Sequence, residues 1–174
     1  MNLSNWIRFR WDLTQLPSFA NQLPEHYEIG SATADDEKEL RKIISSSFVL
    51  DPAWSPAMQE VMERLEVWLE RAFSPSTTCQ CLALRHGLRI IGAAIISPEA
   101  EADVQLVPGP CISTEYRNRG FGTRLLEQSL TRLREAGLQE ATGVAKENAP
   151  VTKFLYPKFN STASPHDFTP LVAV

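Results

Sequence analysis

Two glycines set among arginines are the most chemically suggestive feature of the sequence: Arg117-Asn118-Arg119-Gly120-Phe121-Gly122-Thr123-Arg124. Without a Cβ at 120 and 122 the backbone can turn tightly and approach a ligand. The segment lies just ahead of the most regular helical pattern in the chain, with Leu125, Leu126, Leu130 and Leu133 on one face. A helix beginning there directs unpaired N–H groups and its positive dipole end at the glycines. These are the parts of a phosphate site. The competing reading is a tight turn with solvated arginines. No Lys-Ser/Thr pair follows, so this is not a Walker A loop. Two glycines this late in the chain do not make a dinucleotide fingerprint either.

The segment before the loop is also unusual. Val104 to Ser113 reads as a strand yet contains Pro108-Gly109-Pro110. Proline lacks the N–H of a ladder donor, so the strand must be bulged, broken or splayed from a neighbour. Metal chemistry finds little support. The three cysteines, Cys79, Cys81 and Cys111, and three histidines, at 26, 86 and 166, do not fall at zinc-ligand spacing. The cysteines read as small hydrophobes in or beside strands, and His86 as an exposed turn residue.

The elements that must position the loop follow from periodicity. Tyr27 to Ser31 is a strand candidate. Thr33 and Asp36 form a variant capping box ahead of a helix over 34–47. Ser55 and Pro56 start a second helix over 56–73, with Met58, Val61, Met62, Leu65, Trp68 and Leu69 on its apolar face. Cys79–Leu84 and Arg89–Ile96 form a hairpin around His86-Gly87, and the nearly all-apolar second strand suits a sheet centre. The glycine-loop helix spans 120–136 and ends at Gly137. Gln139–Ala145 is a strand, Asn148-Ala149-Pro150 begins a fourth helix, and Phe168–Val174 supplies a last strand that Pro170 confines to an edge. Residues 1–26 read as an extension in which Trp6–Trp11 forms a short edge strand with Arg8 and Arg10 on its wet face. The domain proper is 27–174, a mixed α/β sheet with helices on both faces.

Composition narrows the function. The 174 residues carry 17 Lys and Arg against 21 Asp and Glu, a net charge of -4, which gives no footprint for nucleic acid. No window reaches the ~20 apolar residues of a membrane helix, and Met1 to Asp12 contains no apolar signal core. A cytoplasmic protein with no nucleic-acid or membrane partner is expected.

Two stretches carry a resemblance. Ser113-Thr114-Glu115-Tyr116-Arg117-Asn118-Arg119-Gly120-Phe121-Gly122-Thr123-Arg124-Leu125-Leu126 resembles the acetyl-coenzyme A motif of the GCN5-related N-acetyltransferase (GNAT) superfamily. Asn148-Ala149-Pro150-Val151-Thr152-Lys153-Phe154-Leu155-Tyr156-Pro157-Lys158-Phe159 resembles its second motif. The family's "G-F" ending is Phe159-Asn160 here, a change a left-handed Asn can accommodate.

The resemblance implies the GNAT acyl-coenzyme A N-acyltransferase fold, a central mostly antiparallel sheet with a splayed pair of strands. It implies transfer of an acetyl group from acetyl-coenzyme A, as cosubstrate, to an amine of a small molecule or a protein by direct attack. It assigns Arg117, Asn118, Arg119, Gly120, Phe121, Gly122 and Thr123 to the pyrophosphate, and Cys111, Ile112 and Ser113 to the pantetheine arm. Asn148 contacts the cofactor or braces the loop. Tyr156 takes the family's tyrosine position, where a phenol of pKa ≈ 10 protonates the leaving thiolate. Glu101, then Asp103, is the candidate general base, a solvated loop acid being the alternative for each. Lys153 and Lys158 read as solvated, and a cysteine route through Cys111 has no histidine partner. The rival readings are a non-catalytic coenzyme-binding module and an interaction protein using Trp6–Trp11; a homodimer is left open.

Overall fold

A computed structural model describes residues 6–18, 22–49, 58–74, 78–107, 109–147 and 149–166. Strand β1 is Trp6–Asp12 and β2 is Tyr27–Ser31; a short 3-10 turn at Ala34–Asp36 leads into helix α1, Glu37–Val49. Helix α2 is Met58–Ala72, and β3 (Gln80–His86) turns at Gly87, φ 61°, into β4 (Arg89–Ile96). The two-residue β5 (Cys111–Ile112), α3 (Phe121–Glu135), β6 (Glu140–Lys146) and β7 (Thr162–His166) complete the order. This is the mixed α/β fold with a central antiparallel sheet flanked by helices.

The helices take opposite faces because the strand pattern offers an apolar side to each. Along β3, Cys81 and Ala83 share a buried cluster with Leu40, Ile44 and Phe48 of α1. Their neighbours Leu82 and Leu84 cluster with Phe121 and Leu125 of α3. Successive side chains of a strand alternate faces, so one strand feeds both layers. Seven of the eight residues of β4 are buried, as a strand covered on both sides requires.

The strands form two antiparallel groups, β2-β3-β4-β5 and β6-β1-β7. They meet at Leu106, which bridges antiparallel to Ile96 and parallel to Gly143. Beyond Leu106 the chain follows β4, with Cys111 opposite Ala93 and Ile112 opposite Gly92, and leaves β6. A cleft opens where they part.

The junction is tightly fitted. A Cβ on Gly143 would stand 3.2 and 3.3 Å from the Trp11 ring and 3.4 Å from Leu106 O. The buried Gln105 pins the other side. Its Oε1 accepts from Thr142 N at 2.8 Å and Thr142 Oγ1 at 2.9 Å, and its Nε2 donates to the carbonyls of Glu99 at 3.1 Å and Ala102 at 2.9 Å.

Several expectations are corrected. The Trp6 segment is no edge strand: β1 lies between β6 and β7, paired with both along Trp6–Arg10, and Phe9 and Trp11 are buried. Alternating Trp, Phe and Arg concealed this, because a strand central to a small sheet can still expose one face. A boundary at residue 26 therefore separates β1 from the sheet it completes. The last described strand is Thr162–His166, where Pro165 sits at an edge position; Phe168–Val174 and Pro170 lie outside the described residues, as do Ser55 and Pro56. The fourth helix shrinks to one π turn, Val151–Leu155, and a 3-10 turn, Tyr156–Phe159, ended by Asn160 at φ 59°. Gly137 ends α3 at φ 100°, where Leu138 N donates to Leu133 O at 3.2 Å.

Because β1 completes the sheet, Trp11→Ala should lower the unfolding free energy by about 3–5 kcal/mol in a denaturant titration. A loss below ~1 kcal/mol would make β1 an appendage.

Candidate functional site

The cleft has a volume of about 420 Å³ and is walled by β5, the loop before α3, the first turn of α3, the Val151–Lys158 turns and the end of α1. Each wall has a local cause. Arg124 N donates to Gly120 O at 3.3 Å, the first bond of α3, so the N–H groups of Phe121, Gly122 and Thr123 have no partner in the helix. Asn118 at φ 62° and Gly120 at φ 83° turn the chain into that helix; an L side chain other than Asn or Asp is strained there. Gly122 answers to a different constraint. A Cβ there would meet only Leu155 Cδ2 at 3.6 Å and Ile112 Cγ1 at 4.0 Å, so the glycine leaves cleft space that a larger side chain would fill.

The β5 wall can be accounted for group by group. Ser113 N donates to Ile91 O at 2.8 Å, and the register makes Cys111 and Ala93 the next hydrogen-bonded pair. Ile112, between them, turns its N–H and C=O away from β4. Arg117 Nε donates to that carbonyl at 3.0 Å. Pro110 has no N–H. Gly109 is occupied by Tyr156, whose hydroxyl donates to Gly109 O at 2.6 Å and accepts from Gly109 N at 3.2 Å. The outward N–H of Ile112 is left facing the cleft.

The electrostatics are one-sided. Among the described residues, no Asp or Glu lines the cleft, whereas Arg117 and Lys158 do. Most other arginines have carboxylate partners, among them Arg85 with Asp36 at 2.6 Å and Arg41 with Glu66 at 2.8 Å. Neither Arg117 nor Lys158 has one among the described residues. Lys158 Nζ instead donates to Thr123 Oγ1 at 3.2 Å. Two cations without counter-ions, beside a helix N-terminus, fit an anionic ligand.

The expected site residues divide. Cys111, Ile112, Arg117, Asn118, Gly120 and Phe121 line the cleft, together with Gly122 and Thr123. Ser113 and Arg119 stand beside it: the Ser113 amide is used by β4, and the Arg119 guanidinium lies 5.4 Å from the Tyr116 ring centre. Asn148 lies outside the described residues.

The three residues expected to move protons are elsewhere. Glu101 and Asp103 are exposed on the loop beyond Gln105 and do not reach the cleft walls. Gln105 turns that loop's carbonyls inward, and the Asp103 carbonyl also accepts from Arg8 at 3.2 Å and Thr142 Oγ1 at 3.1 Å, which leaves both carboxylates outside. Tyr156 is fully buried, edge-on to Phe9 at 4.9 Å and Trp11 at 5.0 Å. Burial raises its pKa above the ordinary phenol value. Burial also pushes the Cys111 thiol up to about 12, which makes it a poor nucleophile at neutral pH.

Several contributors went unassigned in the sequence, Phe154 and Leu155 of the cleft wall among them. Lys158 is exposed, as expected, and the 3-10 turn sets its Nζ 3.2 Å from Thr123 Oγ1 at the start of α3. Ser47 and Phe48 enter because the last turn of α1 reaches the cleft; the helical spacing Ile44–Phe48 was their one sequence signal. Gln105 carried none. His86 is not simply exposed either: its Nδ1 lies 3.0 Å from Tyr116 Oη and its ring stacks on Tyr27 at 4.2 Å.

Comparison with known proteins places the family and the fold. The sequence model of the acetyltransferase (GNAT) family matches residues 38–159; the chain belongs to that family. No curated protein matches the sequence significantly. Among solved structures, a GCN5-related N-acetyltransferase from Kribbella flavida aligns with TM-score 0.60 at 13% identity, covering 94% of this chain and 57% of that one. A GCN5-related N-acetyltransferase from Sphaerobacter thermophilus gives 0.62 at 17%, with 93% and 49% covered. A functionally unknown conserved protein from Staphylococcus epidermidis gives 0.58 at 12%, with 93% and 58%. The likeness is one of fold, and the chain spans about half the length of these structures.

Removing the Tyr156 hydroxyl leaves both polar groups of Gly109 unpaired. Tyr156→Phe is expected to cost about 1–3 kcal/mol of stability, read by denaturant titration. In alkali the native protein should hold the Tyr156 proton above the pH at which the unfolded chain loses it. This contribution is full below pH ~10 and lost as pH rises through the native value. Phenolate absorbance that appears fully by pH ~10 without unfolding would contradict the clamp.

Proposed function

We propose that the protein transfers an acetyl group from acetyl-coenzyme A to an amine. The observation that carries this reading is the continuity of the doubly cationic cleft, whose described lining holds no Asp or Glu, from the first turn of α3 to the open side of β5. In this family setting, the N–H groups of Phe121–Thr123 with Lys158 take the pyrophosphate. The Ile112 N–H takes a carbonyl of the pantetheine arm. The space kept by Gly122, between Leu155 and Ile112, fits that arm.

In the reaction, the amine nitrogen attacks the thioester carbonyl carbon and the C–S bond breaks. Sulfur leaves with the electron pair and takes a proton. With no described carboxylate on the cleft walls, the acceptor enters as the free amine and gives its proton to water. The rate then rises with pH up to the amine's own pKa. Tyr156 serves as a positioning residue that fixes Gly109 at the start of β5. Cytoplasmic location, the identity of the amine and a homodimer are not needed by this reading.

A second reading is a coenzyme-binding module without chemistry. It is favoured by one observation: the tyrosine and both acids expected to move protons stand off the cleft.

The test is calorimetric titration with acetyl-coenzyme A, followed by thiol release in the presence of a panel of amines. Binding with Kd between roughly 1 μM and 1 mM is expected, weakened at least ~100-fold in Gly122→Trp. This variant is cleaner than one at Gly120, where positive φ adds backbone strain. Binding without thiol release from any amine selects the module; no binding at millimolar ligand overturns the donor assignment.

A further inference from the structure

Arg117 combines two properties that are hard to reconcile with a passive role. It is a cleft-wall cation without a carboxylate partner among the described residues, and it spends its Nε–H on the Ile112 carbonyl at 3.0 Å. That carbonyl is the acceptor β5 turns away from β4, in a segment whose Gly109 carbonyl is taken by Tyr156 at 2.6 Å. Both Arg117 and Ile112 line the cleft. The guanidinium therefore covers the β5 carbonyl that is turned away from β4. Four residues further on, the free N–H groups of α3 begin.

A phosphate is a better partner for a guanidinium than a neutral carbonyl is, because the bond is charge-assisted on both sides and can be bidentate. A phosphate seated at the first turn of α3 competes for Arg117. Once it wins, the Ile112 carbonyl is exposed to the ligand's amide.

We propose that Arg117 is a specificity-determining latch. It covers the Ile112 carbonyl until a phosphate takes its guanidinium, so the cleft receives the amide-bearing arm of a thioester only with a phosphate beside it. This rests on the donor reading above and narrows it to nucleotide-bearing thioesters over bare pantetheine thioesters. The two halves of the ligand are then coupled: each tightens the other by the same factor.

The experiment titrates pantetheine into the protein with and without saturating adenosine 3′,5′-bisphosphate, for wild type and Arg117→Met, which keeps side-chain length and apolar packing. In the wild type the bisphosphate is expected to tighten pantetheine about tenfold. In Arg117→Met pantetheine alone should bind more tightly than to wild type, and the bisphosphate should no longer help. Coupling that is absent in the wild type or survives in Arg117→Met overturns the latch, as does weaker binding of pantetheine alone to the variant. In the unmodified protein the Arg117 Nε–H resonance provides a second test: bisphosphate alone should shift it, and an unmoved signal at saturation overturns the exchange. If intact coenzyme A fails to bind, the donor assignment falls and the latch with it. If it binds without coupling, only the latch falls.

Discussion

The parting of two strand groups at one residue is the constraint on which the rest of the site depends. Leu106 touches Ile96 on one side and Gly143 on the other, and beyond it the chain follows β4 alone. A chain that stayed paired on both sides past this point would spend its outward N–H and C=O groups on a second neighbour, and the β5 wall would be closed. The divergence is imposed from both ends. Gly143 leaves room for the Trp11 ring, which a Cβ there would meet at 3.2 and 3.3 Å, closer than side chains ordinarily pack. Pro110 withholds a ladder donor, and Tyr156 satisfies both polar groups of Gly109. Pro110, which helps make this segment a poor strand, is thus compatible with it as a cleft wall.

The tyrosine shows how a sequence position and its geometry can part company. Its place in the second motif implies a proton donor for a leaving thiolate. Its environment makes it a clamp: Trp11 and Phe9 of β1 close over the ring, and the hydroxyl is committed at 2.6 Å to a backbone carbonyl. Both consequences trace to β1, which belongs to the part of the chain least like the family motifs. The N-terminal strand therefore shapes the cleft through packing, although it contributes no residue to the cleft wall.

The sequence made helices α1 to α3, the β3–β4 hairpin and the glycine loop legible, because each is specified locally by periodicity, a cap or a turn residue. Gly87, Gly120 and Gly137 all adopt the positive φ that their places suggest. What was illegible is long-range. The partners of β1 lie more than a hundred residues away at Glu140–Lys146 and Thr162–His166, and alternation within seven residues says nothing about which strands flank them. Gln105 gave no signal because an amide becomes informative only when the groups around it are known. Lys158 and Lys153 look alike in sequence and both are exposed; a change from π to 3-10 turn between them brings Lys158 alone within hydrogen-bond reach of Thr123.

The central claim is that the ligand lies along the open side of β5 with its phosphates at the start of α3. Backbone amide NMR during a coenzyme A titration tests it most directly. The largest saturable shifts should fall at Ile112 and Phe121–Thr123, with Glu101 and Asp103 unmoved. Saturable shifts centred on the acidic loop or on β7, with Ile112 and Gly122 unchanged, would contradict the account.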